Sequence, residues 1–433
     1  MTIDWSLTLA INFLLITLLS IIIIQNKDRF FSFYNFFIIW FVAVMLIGVP
    51  ITYLLETYFI SSSVNTELLF YTQLYSFLFI VIFILFYKLP FKYPRVILFP
   101  VIKYSEMQVL SFLFTGISFL AILYFLSQNG LLLLDSTSYE ERYETNLGLG
   151  ILTRFFPFFI AGTTISFILK PTYRNWIFNL LIGIFLGVLT YIVMGGYRQI
   201  LAIHIFVFLI LAYHYSYIKL FTIIKFGILA IPLLMFMALF RYGIDSSSDL
   251  SFNLLVFTRD SFAPYNSFTN IIEYYKNTSE DFQGLSIVLN EFSSLIPRSI
   301  WVDKPELVLN AGNFYTQEIL KYNAGLTISP TILGSLFLIS GDYGVILGSI
   351  FLAVMLRWFD KKVYRSVIVF SKNNREFNLS LYSIFYYYII FYTFTIAREG
   401  IEVFLQRTIM AYIIFIVFVY MSKVIASAIK YKE

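Results

Sequence analysis

The chain has 433 residues, 59% of them apolar and 20% aromatic, with a mean hydropathy of +0.81. Only 13% are charged, against about a quarter in a soluble domain. That excludes a soluble globular class and makes the net charge of +5 matter less than how it divides across a membrane. With no cysteine and only two histidines, His204 and His214, disulfides, thiolate metal sites and a histidine-rich metal centre are excluded as well.

Apolar runs close to the ~20 residues that cross a bilayer recur from end to end. In chain order the spans are placed at 5–24, 30–49, 67–87, 107–127, 151–169, 175–194, 199–218, 221–240, 344–360, 378–396 and 403–422. No small-residue cleavage site follows the first run, so it reads as a span and not as a signal peptide. The short alternating strands of a barrel are not the pattern. The expected fold is an all-α polytopic integral membrane protein. It is read as a single transmembrane domain over 1–433, with about eleven transmembrane helices and one long folded periplasmic loop, 241–343.

Loops beyond about 15 residues are commonly functional or disordered. This one is not low-complexity, and stretches such as "LSIVLNEFSSLIP" suggest folded helices at the membrane surface. Its last part, "TISPTILGSLFLISGDYG" (327–344), suits two readings. One is a re-entrant or surface helix ending at Gly341; the other is the start of a long tilted span. Ser329 is expected as its cap and Pro330 in its first turn.

Lysine and arginine in short loops orient the spans. "QNKDRF", "YKLPFKYPR", "LKPTYR", "RWFDKKVYR" with "SKNNR", and the tail "KYKE" fall on one face, the cytoplasmic one. That face collects 19 basic and 5 acidic residues; the other carries 11 basic and 20 acidic. The amino terminus is therefore expected outside and the carboxyl terminus inside. Inside, 13 of the 19 basic residues are lysine. Outside, 8 of the 11 are arginine: Arg142, Arg154, Arg198, Arg241, Arg259, Arg298, Arg398 and Arg407. Orientation needs only positive charge, whereas a guanidinium adds a planar fork that grips phosphate or carboxylate bidentately. An anionic ligand on the outer face is one reading; ion pairing with the outer acids is the other.

Several outer stretches place acids and arginines together. "YIVMGGYRQILAIHIF" (191–206) has Arg198 at a span end after Gly195 and Gly196, which allow close approach. "RYGIDSSSD" holds Arg241, and "FTRDSFAPYNSF" holds Arg259 beside Asp260. "IPRSIWVDKPE" gathers Arg298, Trp301, Asp303, Lys304 and Glu306. "IAREGIE" puts Arg398 and Glu399 at an outer turn between two spans. Aromatics here fit either the interfacial belt or stacking on sugar faces. His204, inside its span, is expected to be a hydrogen-bonded packing residue. No Walker, Rossmann or nucleophile-elbow motif occurs, so ATP hydrolysis and redox chemistry are not expected.

The ordered set "GGYR" (195–198), "RYG" (241–243), "FTRDSFAPYN" (257–266), "DFQGL" (281–285), "IPRSIW" (296–301), "KPELVLNAGNFYTQEIL" (304–320), "GLTISPTILGSL" (325–336) and "AREG" (397–400) covers most of the chain. By these motifs it resembles the enterobacterial common antigen polymerases, within the Wzy-type oligosaccharide repeat-unit polymerases. Two positions depart from the expected pattern: Lys304 stands in place of arginine and Val302 in place of proline.

The resemblance implies a glycosyltransferase of the bacterial inner membrane, active on its periplasmic face. It would join undecaprenyl pyrophosphate-linked trisaccharide repeats, one sugar of which is an N-acetylmannosaminuronate. Implied partners are a copolymerase-type chain-length regulator and the repeat-unit flippase. Arg198, Arg241, Arg259, Arg298, Arg398, Trp301 and Lys304 are then the expected substrate-binding residues. Asp260 is the expected general base and Glu399 the second choice. No cofactor or metal is expected, because preorganised arginines can neutralise a leaving pyrophosphate. Three other readings stand beside this one. A lipid-linked oligosaccharide flippase would place its basic groups along a central path between similar halves. An O-antigen ligase-like transferase shares the donor and differs in acceptor. A non-enzymatic scaffold gives no reason for the arginine bias.

Overall fold

The structure, a computed structural model, describes residues 5–58, 65–93, 98–134, 150–229, 264–293, 295–296, 301–303, 308–322, 327–367 and 380–430. Regular structure in these residues is helical throughout. The principal helices are α1 (Trp5–Gln25), α2 (Phe33–Tyr58), α3 (Thr66–Lys88), α4 (Tyr104–Asn129), α5 (Phe158–Leu169), α6 (Tyr173–Val193), α7 (Gln199–His214), α8 (Leu220–Leu229), α9 (Tyr265–Asn277), α10 (Ser286–Ser293), α11 (Thr331–Phe359), α12 (Leu381–Ile389), α13 (Thr393–Arg398) and α14 (Ile401–Lys430).

Seven helices in the described residues are long and apolar enough to cross a membrane: α1, α2, α3, α4, α6, α11 as continued to Val367, and α14. The protein is a polytopic membrane protein. In their described parts the other four expected spans are also helical but shorter or interrupted. The 151–169 run turns at residues 154–157 and yields a 12-residue α5 after Pro157. The 199–218 run gives the 16-residue α7. The described part of 221–240 is α8. The 378–396 run breaks into α12, a 3-10 turn at Ile390–Tyr392, and α13.

The chain divides into two compact units: Met1–Pro94, Ser246–Lys361 and Tyr392–Thr408 form the first; Arg95–Asp245, Lys362–Phe391 and Ile409–Glu433 the second. In the second, α6 and α7 form a close hairpin. Any side chain at Gly183 would overlap the ring of His204, and one at Gly187 would meet Leu201. Small residues are what let helices approach in lipid. His204 is fully buried, with Nε2 3.2 Å from the Leu180 carbonyl, which is the packing role read from sequence. The hairpin turn is capped by Gly195 (φ 66°) and Gly196 (φ 101°). Gly196 N–H donates to Tyr191 O (2.8 Å) and Gly195 N–H to Ile192 O (3.3 Å). This pattern satisfies the orphan carbonyls at a helix end, and it accounts for both glycines before any ligand is invoked.

In the first unit, α11 is two helices. Ser340 (φ −161°, ψ 36°) and Gly341 (φ 60°, ψ −135°) leave the helical region. Gly344 and Gly348 press against Leu336, eight and twelve residues earlier, whereas eight residues of straight helix are about 12 Å apart. The chain therefore doubles back, and 331–339 and 342–359 are the arms of a helical hairpin. The first arm is buried from Thr331 to Leu338, and the second supplies the expected span. Of the two readings of 327–344, the helix ending at Gly341 is the observed one.

Its start differs from expectation: Pro330 is the cap residue without a side-chain bond, and Thr331 Oγ1 accepts from Gly334 N–H (3.4 Å). The threonine hydroxyl thus takes the role assigned to Ser329. At the break, Gln283 and Gly284 N–H groups donate to Leu338 O (2.9 Å) and Ile339 O (3.1 Å). The Phe282 ring occupies the space a Gly341 side chain would need. The "DFQGL" stretch is thus the strap that closes the hairpin's exposed backbone.

Candidate functional site

The first unit builds a polar cluster where α13 turns into α14. α13 ends at Arg398, and Glu399 and Gly400 N–H groups both donate to Thr395 O (2.7 and 3.0 Å). Gly400 has φ 131°, a backbone region that glycine alone enters freely. The chain then re-enters helix at Ile401. Across this turn Arg407 Nη2 lies 2.7 Å from Glu399 Oε2, with both side chains about one-fifth exposed (19% and 23%). Arg398 points elsewhere. It is exposed, and its guanidinium carbon sits 5.7 Å from the centre of the Phe394 ring, a distance for cation–π attraction. Among the described residues it meets no carboxylate.

Beneath the turn lies Glu402, 3% exposed, whose Oε1 accepts from Ser335 Oγ (2.7 Å) on the buried arm of the α11 hairpin. One turn later Gln406, fully buried, donates from Nε2 to the main-chain carbonyl of Glu291 on α10 (3.1 Å). Glu291 is itself buried, and its Oε2 accepts from Asn310 Nδ2 (2.7 Å). Asn310 also caps the short helix Ala311–Phe314 through Asn313 N–H (2.9 Å). Thr327 Oγ1 then donates to Asn313 Oδ1 (2.7 Å), and Thr316 Oγ1 accepts from Ile328 N–H (2.7 Å). "NAGNFYTQEIL" and "TISP" thus fold onto each other, and the described parts of the long loop are folded, as expected. Burial pushes the Tyr315 phenol above its ordinary value; it stays neutral and accepts from Asn270 Nδ2 (3.0 Å).

Of the expected substrate-binding and catalytic residues, Arg398, Glu399 and Trp301 are described in the first unit and Arg198 in the second. Arg198 caps α7 at its amino end and is part-buried; Trp301 is part-buried beside exposed Val302 and Asp303. Asp260, Arg241, Arg259, Arg298 and Lys304 lie outside the described residues. The motif order has an independent counterpart. A family model described as WzyE protein, O-antigen assembly polymerase, matches residues 2–431.

The chain belongs to that family.

No solved structure matches it. The turn between α13 and α14 sets one part-exposed carboxylate, Glu399, against one guanidinium, Arg407, above the buried Glu402, Ser335 and Gln406. Sequence reading did not select Glu402, Gln406, Ser335, Glu291, Asn310 or Arg407 for this site. A signal was present for Arg407, since an arginine inside the 403–422 run is costly unless it is paired or functional. Glu402, Gln406, Ser335, Glu291 and Asn310 carry no such local signal, because their partners lie 19 to 115 residues away.

Proposed function

We propose that this protein polymerises undecaprenyl pyrophosphate-linked trisaccharide repeat units into enterobacterial common antigen polysaccharide. It acts from the bacterial inner membrane, on the periplasmic face. The observation that carries this reading is the family match over residues 2–431. The ordered motifs and the arginine-rich outer face support the finer parts of it.

In this reading a hydroxyl of the incoming lipid-linked unit attacks the anomeric carbon of the growing chain. The new C–O glycosidic bond forms as the bond to pyrophosphate breaks, and the electron pair leaves with the pyrophosphate. The hydroxyl proton passes to a carboxylate, Asp260, with Glu399 as the alternative. Arg198, Arg241, Arg259, Arg298, Arg398 and Lys304 hold the pyrophosphates and the uronate, and Trp301 stacks on a sugar face. Undecaprenyl pyrophosphate is released. The flippase supplies the repeats to this face, and a copolymerase-type regulator sets the chain length.

The glycan ladder of cells lacking the protein tests the reading. Single repeats accumulating on lipid are expected. Intact lipid-linked polymer beside uncapped lipid A-core would mean a ligase, and repeats stranded on the inner leaflet would mean a flippase.

A further inference from the structure

Glu402 is a carboxylate in the first turn of a membrane-grade helix, shielded from solvent. Such a group is expensive unless something requires it. Two observations show what surrounds it. Its Oε1 accepts from Ser335 Oγ at 2.7 Å, so the buried arm of the α11 hairpin holds one oxygen. Its two oxygens fill the space that a side chain at Gly400 would occupy. Gly400 is the φ 131° residue of the turn, and the residue immediately before it is Glu399, paired with Arg407. These four residues form one chain, from Ser335 through Glu402 and Gly400 to Glu399.

We infer that Glu402 is a positioning residue: held by Ser335 and wedged against Gly400, its carboxyl group fixes the turn that aims Glu399 at Arg407. The α11 hairpin, and through it the "DFQGL" strap, is thereby coupled to the α13–α14 turn. The role is one of shape and hydrogen bonding. Glutamine, which has the same outline and keeps the acceptor oxygen, should replace it; alanine, which removes the wedge, should not.

The importance of the turn to the reaction rests on the proposed function, so the test reads geometry and activity separately. The chain has no cysteine, so a Glu399→Cys/Arg407→Cys pair in the full-length protein can be joined by a short bifunctional thiol reagent. Adding Glu402→Ala should slow cross-linking by about tenfold, while Glu402→Gln should leave it near the starting rate. Ser335→Ala, which spares the carboxylate, should give an intermediate rate. In the cysteine-free protein Glu402→Ala should lower kcat by up to about 10²-fold, as a misplacement of about 1 Å does. KM should change little, and Glu402→Gln should restore kcat. Unchanged cross-linking in Glu402→Ala overturns the inference. So does a Glu402→Gln protein as impaired as Glu402→Ala, which would make the charge itself the active feature. If cross-linking falls as expected but Glu402→Ala polymerises normally, the positioning role stands and the assignment of this turn to the reaction fails.

Discussion

Arg407 reaches back eight residues, across the Gly400 turn, to place Nη2 2.7 Å from Glu399 Oε2. The neighbour in sequence, Arg398, lies over Phe394 instead. The pair is neither exposed nor fully buried, so breaking it should cost stability between the ~0–1 kcal/mol of surface pairs and the ~3–5 kcal/mol of buried ones. Arg407→Gln should lower the thermal midpoint in detergent. Arg407→Gln combined with Glu399→Gln should recover part of the loss, because no uncompensated carboxylate remains. A double variant less stable than either single one would show that the pair is not the relevant interaction.

In the proposed mechanism the same glutamate is the alternative to Asp260 as general base. Asp260→Asn keeps the shape and removes the negative charge. It should be inserted normally and bind lipid-linked repeats, yet extend them about 10²–10⁴-fold more slowly. Near-normal extension by Asp260→Asn, with a loss of that size in Glu399→Gln, would transfer the role to Glu399.

If the arginines hold the substrate anions as proposed, lysine should not rescue them. In Arg198→Lys, Arg259→Lys and Arg398→Lys the charge remains and the bidentate fork is lost, so polymer should fall sharply at normal expression. Arg398 is the most direct of the three, since it meets no carboxylate among the described residues. Wild-type polymer in all three variants would assign these arginines to structural pairing.

Gly341 should tolerate no side chain. Its φ of 60° costs about 1–3 kcal/mol for a non-glycine residue, and the Phe282 ring fills the space. Gly341→Ala should lower the thermal midpoint measurably. Adding Phe282→Ala should relieve the steric part and leave the backbone part. An unchanged midpoint in Gly341→Ala would mean that the hairpin turn is not constrained as described.

The expected orientation puts Ser247 and Asn277 outside. A single cysteine at either position should react with an impermeant thiol reagent in intact spheroplasts. Labelling only after membrane rupture would reverse the topology.

Much of the fold was legible because lipid imposes one signal, the apolar run, and each run reads locally. The path of those runs was less so. The 151–169 run was read whole although α5 starts only after Pro157, and nothing local says that Ser340–Gly341 reverses the chain. That turn is settled by Phe282, Gln283 and Gly284, nearly sixty residues earlier in sequence. "AREG" was legible as a turn between two helices. Arg398 and Glu399 stand side by side in it, whereas the Gly400 turn brings Arg407, eight residues on, to Glu399. Ser335 and Glu402 are 67 residues apart, and no periodicity relates them.

The central claim is repeat-unit polymerisation, and reconstitution measures it most directly. Purified full-length protein in liposomes, given lipid-linked trisaccharide repeats alone, should yield a ladder spaced by one repeat and release undecaprenyl pyrophosphate. Repeats that stay single with correctly inserted protein, or that move only when a lipid A-core acceptor is supplied, would contradict it.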